Sequence, residues 1–233
     1  MKIIKFQSEP AQTPFALQYN LLMCEDKSDK DLKFFNKIKN IILKKESTVI
    51  EQTTKKYAEY NKTYNIIYDG ETKLGKNSLT SRGNYYNFLK WDFKEIDELK
   101  KILRNKYNEF LLNIGVEQRE VWIKCWANVM RYGEKIEKHI HSSNALTWIG
   151  GHVIIACEKT STFYENPISQ AEKNQTYESV NEVGQITFFQ NNIPHYTNTH
   201  YGKSERITIA FDIIPEERYN QYSKEMQQNC IKF

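Results

Sequence analysis

At 233 residues the chain is long enough for one domain with a large core, and could hold two only if both were small. Its 33 basic and 29 acidic residues give a formal net charge of +4, a mixed balance that does not by itself imply a nucleic-acid partner. Four scattered cysteines, with no C-x-x-C pair, exclude a disulfide scaffold and suit a reduced, cytoplasmic setting. The first residues lack the apolar run of a secretory signal, and no apolar run approaches the ~18–20 residues of a bilayer-spanning helix, so a soluble protein without a membrane partner is expected.

In chain order, residues 2–6 and 14–22 read as short extended segments joined by a polar, proline-containing turn. From residue 31 to about residue 45, Leu32, Phe35, Ile38, Ile41 and Ile42 recur at three- and four-residue spacing, and Ser28 with Asp31 offers an N-terminal capping box. An amphipathic helix is predicted there, its lysine-rich outer face solvated. Between residues 47 and 83 the periodicity fails, so a long irregular connection is expected, with one strand at residues 64–68. Connections of that length inside a domain usually have a task. Its last part, residues 74–87, gathers basic residues, hydroxyls, amides and tyrosines. We place it over a site mouth, with Ser81, Arg82, Tyr85 and Asn87 as candidate substrate contacts; a polar surface loop is the competing reading.

A second helix is marked by Asp92 as a cap, by the stripe Ile96, Leu99, Ile102, Leu103, Tyr107, Phe110 and Leu111, and by Gly115 as its left-handed terminator. The pattern then changes to period two, with Val121, Ile123, Cys125, Ala127 and Val129 on one face, ending at Tyr132 and Gly133. About eight short strands follow, and helix returns only after Pro215. The expected class is mainly β with supporting helices (α+β): a double-stranded β-helix, or jelly roll, with N-terminal helices packed on one sheet. The chain reads as a single domain, 1–233, comprising a helical and irregular support region at 1–117, the β-helix core at 118–215 and a tail at 216–233.

All five histidines, His139, His141, His152, His195 and His200, fall within this β-rich part. On a strand, His139 and His141 present both imidazoles to one face while Ile140 points away. His195, directly after Pro194, is the third candidate ligand, and neutral imidazole suits iron, zinc, copper or nickel. Arg206 and Thr208 follow on the next strand, where a guanidinium beside a metal can hold a dicarboxylate that also chelates it. Trp126, Trp148, Phe188 and Phe189 are candidates for a dry wall, although ordinary core is the commoner role. A single histidine is usually just a satisfied core or surface residue; three of them with the arginine favour a site.

The order H-x-H at 139–141, G-x-I-x-x-F at 184–189 ahead of Pro194-His195, and Arg206-Ile-Thr208 followed by Ile-Ala-Phe resembles the Fe(II)- and 2-oxoglutarate-dependent dioxygenases. It is most similar to the prolyl-4-hydroxylase-like oxygenases of cyanophages and marine viruses, over about residues 70–215. The resemblance implies Fe(II) held by histidines, 2-oxoglutarate paired with Arg206 and Thr208 with Tyr164 or His152 as helpers, and O2 as oxidant. It implies hydroxylation of a C–H bond with release of succinate and CO2, on a prolyl or other amino-acid residue of a peptide, a free amino acid or another small molecule. Trp126 and Asn128 would join the substrate contacts, and a viral protein would act in the host cytoplasm. One departure matters. That family ligates iron with H-x-D/E and a distal histidine, whereas His141 stands at the carboxylate position. Either the site is His139, His141 and His195, or His141 is the first ligand, with Ser143 at the carboxylate position and water in the gap.

Three rivals remain on the residues alone. A zinc hydrolase or hydratase would use the same histidines, with His200 as proton shuttle. A cupin-like dioxygenase would use them without 2-oxoglutarate, and a jelly-roll binding module would use none.

Overall fold

Alternating strands and amphipathic helices need a shared apolar layer, and the computed structural model, which describes residues 1–63, 74–168 and 175–233, supplies it. In chain order the elements are β1 (Lys2–Gln7), β2 (Asn20–Lys27), α1 (Leu32–Thr63), two single 3-10 turns (Thr80–Arg82 and Phe88–Lys90), α2 (Lys94–Asn113), β3 (Val121–Met130), β4 (Ile149–Ala156), β5 (Ser161–Glu165), β6 (Thr176–Val180), β7 (Gln185–Gln190), β8 (His195–Thr197), β9 (Arg206–Pro215), α3 (Glu216–Tyr219), α4 (Lys224–Gln228) and β10 (Ile231–Lys232). Among the described residues, the strands make a seven-stranded sheet, β1-β2-β7-β4-β9-β3-β10, and a three-stranded sheet, β6-β5-β8. Every pairing is antiparallel. This is the jelly-roll class expected, with both long helices on one face of the larger sheet.

That face is built by period two meeting period 3.6. Ile123, Cys125 and Ala127 of β3, Val153 of β4, Phe188 of β7 and Ile207, Ile209, Phe211 and Ile213 of β9 are wholly buried against Phe35, Ile38 and Ile42 of α1 and Ile96, Leu99, Leu103 and Phe110 of α2. Gly151 sits in this layer because nothing larger fits: a Cβ there would lie 2.4 Å from Phe211 Cζ and 2.4 Å from the Thr187 carbonyl oxygen. Gly151→Ala is therefore expected to cost about 1–3 kcal/mol, read as a fall in the urea midpoint with an unchanged slope. An unchanged midpoint would mean the layer has slack at that point.

Several boundaries differ from the sequence reading. Helix α1 continues well past residue 45, because Val49 and Thr53, each 6% exposed, prolong the stripe of Phe35, Ile38 and Ile42, and the Thr53 hydroxyl donates to the Val49 carbonyl at 2.7 Å. Its start is capped by Asp31, whose Oδ1 accepts from Phe34 N at 2.9 Å; Ser28 instead accepts from Lys30 N and makes no capping box. The strand expected at residues 64–68 lies outside the described residues. Strand β2 begins at Asn20, not at residue 14: the β1 ladder ends at Gln7 opposite Asn20, and Phe15 and Leu17 are 94% and 64% exposed. Asp92 does not cap α2, which starts at Lys94 with Phe93 in the cap position and no side-chain bond. Gly115 does take the left-handed conformation, at φ +68°. The larger sheet also draws on β1, β2 and β10, beyond residues 118–215 at both ends.

Candidate metal centre and anion pocket

On β9 the side chains alternate. Where the odd positions face the helices, Arg206, Thr208, Ala210 and Asp212 face the smaller sheet. Across the β3 ladder these stand opposite Met130, Asn128, Trp126 and Lys124, and on the other side Ala210 pairs with His152 of β4. One strand therefore sets Arg206, Thr208 and Ala210 along the floor of a pocket.

The histidines form its roof. His139 and His141 are not on a regular strand as expected; His139 alone bridges to His195, with His139 N donating to His195 O at 3.1 Å and His195 N donating to His139 O at 3.0 Å. His141 N donates to Asn191 O at 2.9 Å. These bonds bring one ligand atom from each of His139, His141 and His195 within 4.8 Å of one another. Each ring has its Nδ1 engaged by an acceptor: Glu137 O at 2.8 Å for His139, Asp212 Oδ1 at 2.5 Å for His141, and Ile193 O at 3.0 Å for His195. That fixes the tautomer and leaves Nε2 as the free nitrogen in all three. A set of three convergent imidazoles with committed outer nitrogens fits a divalent transition metal. The three residues of this cluster are those of the first of the two registers.

Burial keeps the His139 and His195 rings in the neutral, ligating form. It pushes the His139 pKa down to about 4, with His141 adding to the effect, and the His195 pKa well below its ordinary value. His152 is pushed to about 3 by burial, with the Arg206 cation adding to it. The ordinary value is 6.5, so between these limits the unfolded chain binds more protons than the folded one. Stability of the metal-free protein is therefore full above about pH 6.5 and falls as pH drops toward about 4 through His139 and toward about 3 through His152. Urea midpoints taken at about pH 7.5 and about pH 5 check this; equal midpoints would show that these rings are not held neutral.

Arg206 is 1% exposed. Its Nη2 donates to Thr162 Oγ1 at 3.2 Å and its Nη1 lies 3.3 Å from Met130 Sδ. The Asn181 amide, with its oxygen turned to Arg206, accepts from Nη2 at 3.1 Å and from Nε at 3.3 Å. Among the described residues no carboxylate pairs with this guanidinium. Burial lowers its pKa only to about 10, so it remains a cation. Thr208 accepts from Asn128 Nδ2 at 3.2 Å, and Asn128 in turn accepts from the Thr80 hydroxyl at 2.8 Å.

The remaining sequence candidates divide clearly. Trp126, Asn128 and His152 line the pocket, and Tyr164 stands behind it, its ring stacked 5.9 Å from that of His195 and its hydroxyl 3.2 Å from His152 Nε2. Of the proposed dry wall, Phe189 lines the pocket, whereas Phe188 belongs to the helix-facing core and Trp148 bonds Tyr107 on that side. The 74–87 segment reaches the pocket wall through Thr80 and through Gly83, which sits against Trp126. Its four named candidates do not line the pocket. Ser81 bonds local carbonyls, Arg82 stacks on the Tyr57 ring at 3.9 Å near Tyr85, and Asn87 is consumed by Leu89 N, Ile123 O and Asn229 O. His200 is fully buried, with Nε2 2.6 Å from Ser204 O inside its own turn, away from the pocket. Asp212, Thr162 and Asn181 were missed. Asp212 had a readable signal, since it lies in phase with Arg206 and Thr208.

Taken together, two antiparallel sheets enclosing a histidine cluster and a buried arginine make a jelly-roll fold. Two solved structures in particular share the fold over most of the chain. A prolyl-4-hydroxylase from Pseudomonas putida superposes with a TM-score of 0.54 at 7% identity, covering 83% of this chain and 92% of that one. The collagen prolyl hydroxylase of Paramecium bursaria Chlorella virus-1, solved with 2-oxoglutarate, gives a TM-score of 0.53 at 11% identity, covering 83% and 96%. No protein-family model matches the sequence, and no curated protein is significantly similar to it. Among the described residues no helix is long and apolar enough to cross a membrane.

Proposed function

We propose that this protein is an Fe(II)- and 2-oxoglutarate-dependent dioxygenase that hydroxylates a C–H bond, on a prolyl or other amino-acid residue or a related small molecule. The observation that carries the reading is Arg206: a fully buried cation without a carboxylate partner among the described residues, in the same pocket as three convergent imidazoles. A buried charge is costly until it is paired, and a dicarboxylate that chelates a metal at its other end would pair it.

His139, His141 and His195 would hold Fe(II), and Arg206 with Thr162 and Thr208 would receive the far carboxylate. When bound, iron and 2-oxoglutarate supply the oxidising chemistry, in which decarboxylation to succinate and CO2 is coupled to O2 activation. The chain's own contribution is placement and exclusion of water. Phe189, its ring 4.5 Å from that of His195, and Trp126, its ring 5.8 Å from that of His141, close the apolar sides. Trp126 also offers an aromatic face to a substrate carbon.

The test is an anaerobic titration of metal-free protein with Fe(II) and then 2-oxoglutarate, followed by visible absorption. A charge-transfer band appearing only with the oxo acid is expected. Iron binding without the band would favour a cupin-like dioxygenase, and binding of zinc alone would favour a hydrolase. Against the hydrolase stands the position of His200, whose ring is occupied by Ser204.

A further inference from the structure

The dioxygenase reading leaves one pocket-side carboxylate without a task. Asp212 lies on β9 in phase with Arg206, Thr208 and Ala210. Its Oδ1 accepts from His141 Nδ1 at 2.5 Å, and its Oδ2 lies 3.4 Å from Lys124 Nζ across the β3–β9 pair. The side chain is 14% exposed, flanked along the strand by wholly buried Phe211 and Ile213. Such a carboxylate is costly to keep unless it is held by charge or hydrogen bonds. Here the hydrogen bond comes from a candidate ligand. The other two ligand rings donate only to backbone carbonyls, so His141 alone is backed by an anion.

We propose that Asp212 is a positioning residue of the metal centre, supplying through His141 the negative charge that the inner ligand set lacks. The proposal rests on the metal-binding part of the reading above. A carboxylate behind an imidazole fixes the tautomer, pins the ring plane and raises the basicity of the ligating nitrogen. The iron site thus keeps its carboxylate, moved outward by one imidazole. Lys124 tempers that charge and holds Asp212 in place. Gly150 keeps the contact open: a Cβ there would come within 3.0 Å of His141 Nδ1 and 2.7 Å of Asn191 Oδ1.

The experiment uses Co(II) alone as the probe, titrated into metal-free parent protein and into Asp212→Asn, Asp212→Leu and Lys124→Met, with d–d absorption as readout and circular dichroism and urea midpoints reporting folding. Outer partners of a ligating histidine contribute roughly 10–100-fold in affinity. Asp212→Asn, which keeps an acceptor and loses the charge, is expected near the low end of that range, and Asp212→Leu near the high end. Lys124→Met is expected to leave Co(II) affinity unchanged or tighter, because the anion behind His141 is then less neutralised. A purely structural ion pair would weaken binding in all three variants together with stability.

The proposal is overturned if both Asp212 variants fold and bind Co(II) within about threefold of the parent, short of the ~10–100-fold expected, or if Lys124→Met loses as much affinity as Asp212→Leu. Should the leucine variant not fold, the asparagine variant decides. A parent that binds Co(II) without any response to 2-oxoglutarate removes the dioxygenase reading and leaves Asp212 in its role; a parent that binds no metal removes both.

Discussion

Arg206→Met is expected to abolish 2-oxoglutarate binding while leaving the metal-free protein at least as stable as before. The two effects separate because the guanidinium is 1% exposed and has no carboxylate partner among the described residues. Removing an unpaired buried cation relieves a desolvation cost, so apo stability should hold or rise. Removing one partner of a buried ion pair costs about 3–5 kcal/mol, which corresponds to a loss of roughly two to four orders of magnitude in affinity. Fe(II) binding should persist, since none of the three histidines touches Arg206. Thermal shifts with and without 2-oxoglutarate, alongside the visible band, read both sides. In the parent, the oxo acid at about a hundred times its Kd should stabilise by about 2.7 kcal/mol, and in the variant by nothing measurable. A variant that lost stability and kept the 2-oxoglutarate shift would show the arginine to be scaffolding.

The second large effect is expected at His195. His195→Gln should cost more metal affinity than the roughly 10–100-fold attributed to outer partners, because it deletes a ligating nitrogen outright. Glutamine is preferred to alanine here. The ring is fully buried between Phe189 and Tyr164, and emptying that space would add a cavity cost of about 2–5 kcal/mol that obscures the result. Isothermal titration with Co(II) or Fe(II) checks it. Affinity within a few-fold of the parent would exclude His195 as a ligand and with it the three-histidine centre.

Strand alternation made part of the site readable. Arg206 and Thr208, two apart on β9, share a face by that geometry, whereas His139 and His141 converge off any regular strand, through backbone bonds to His195 and Asn191. The same alternation would have reached Asp212 had it been followed two steps further. Helix α1 was cut short because Thr53 is a polar-looking continuation of the stripe whose hydroxyl is satisfied by its own backbone, something residue type does not reveal. Phe15 and Leu17 misled in the opposite direction: they look like strand and are exposed in a loop. Asn87 shows the limit for polar residues. A buried amide holding three backbone groups and an amide waiting for substrate have the same letter, and only the tertiary contacts separate them.

Strand β9 carries the buried Arg206 at its first residue and Asp212, bonded to His141, at its seventh, with continuous pairing to β3 along its whole length. It therefore behaves like a reading frame. Inserting or deleting a single residue between Arg206 and Asp212 would turn one end of the row toward the helices, because side-chain direction has a period of two. The smallest length change that keeps both ends facing the pocket is two residues, or about 6.6 Å of strand. This segment can therefore change length only in pairs, and each pair would resize the span between Arg206 and Asp212 in one step.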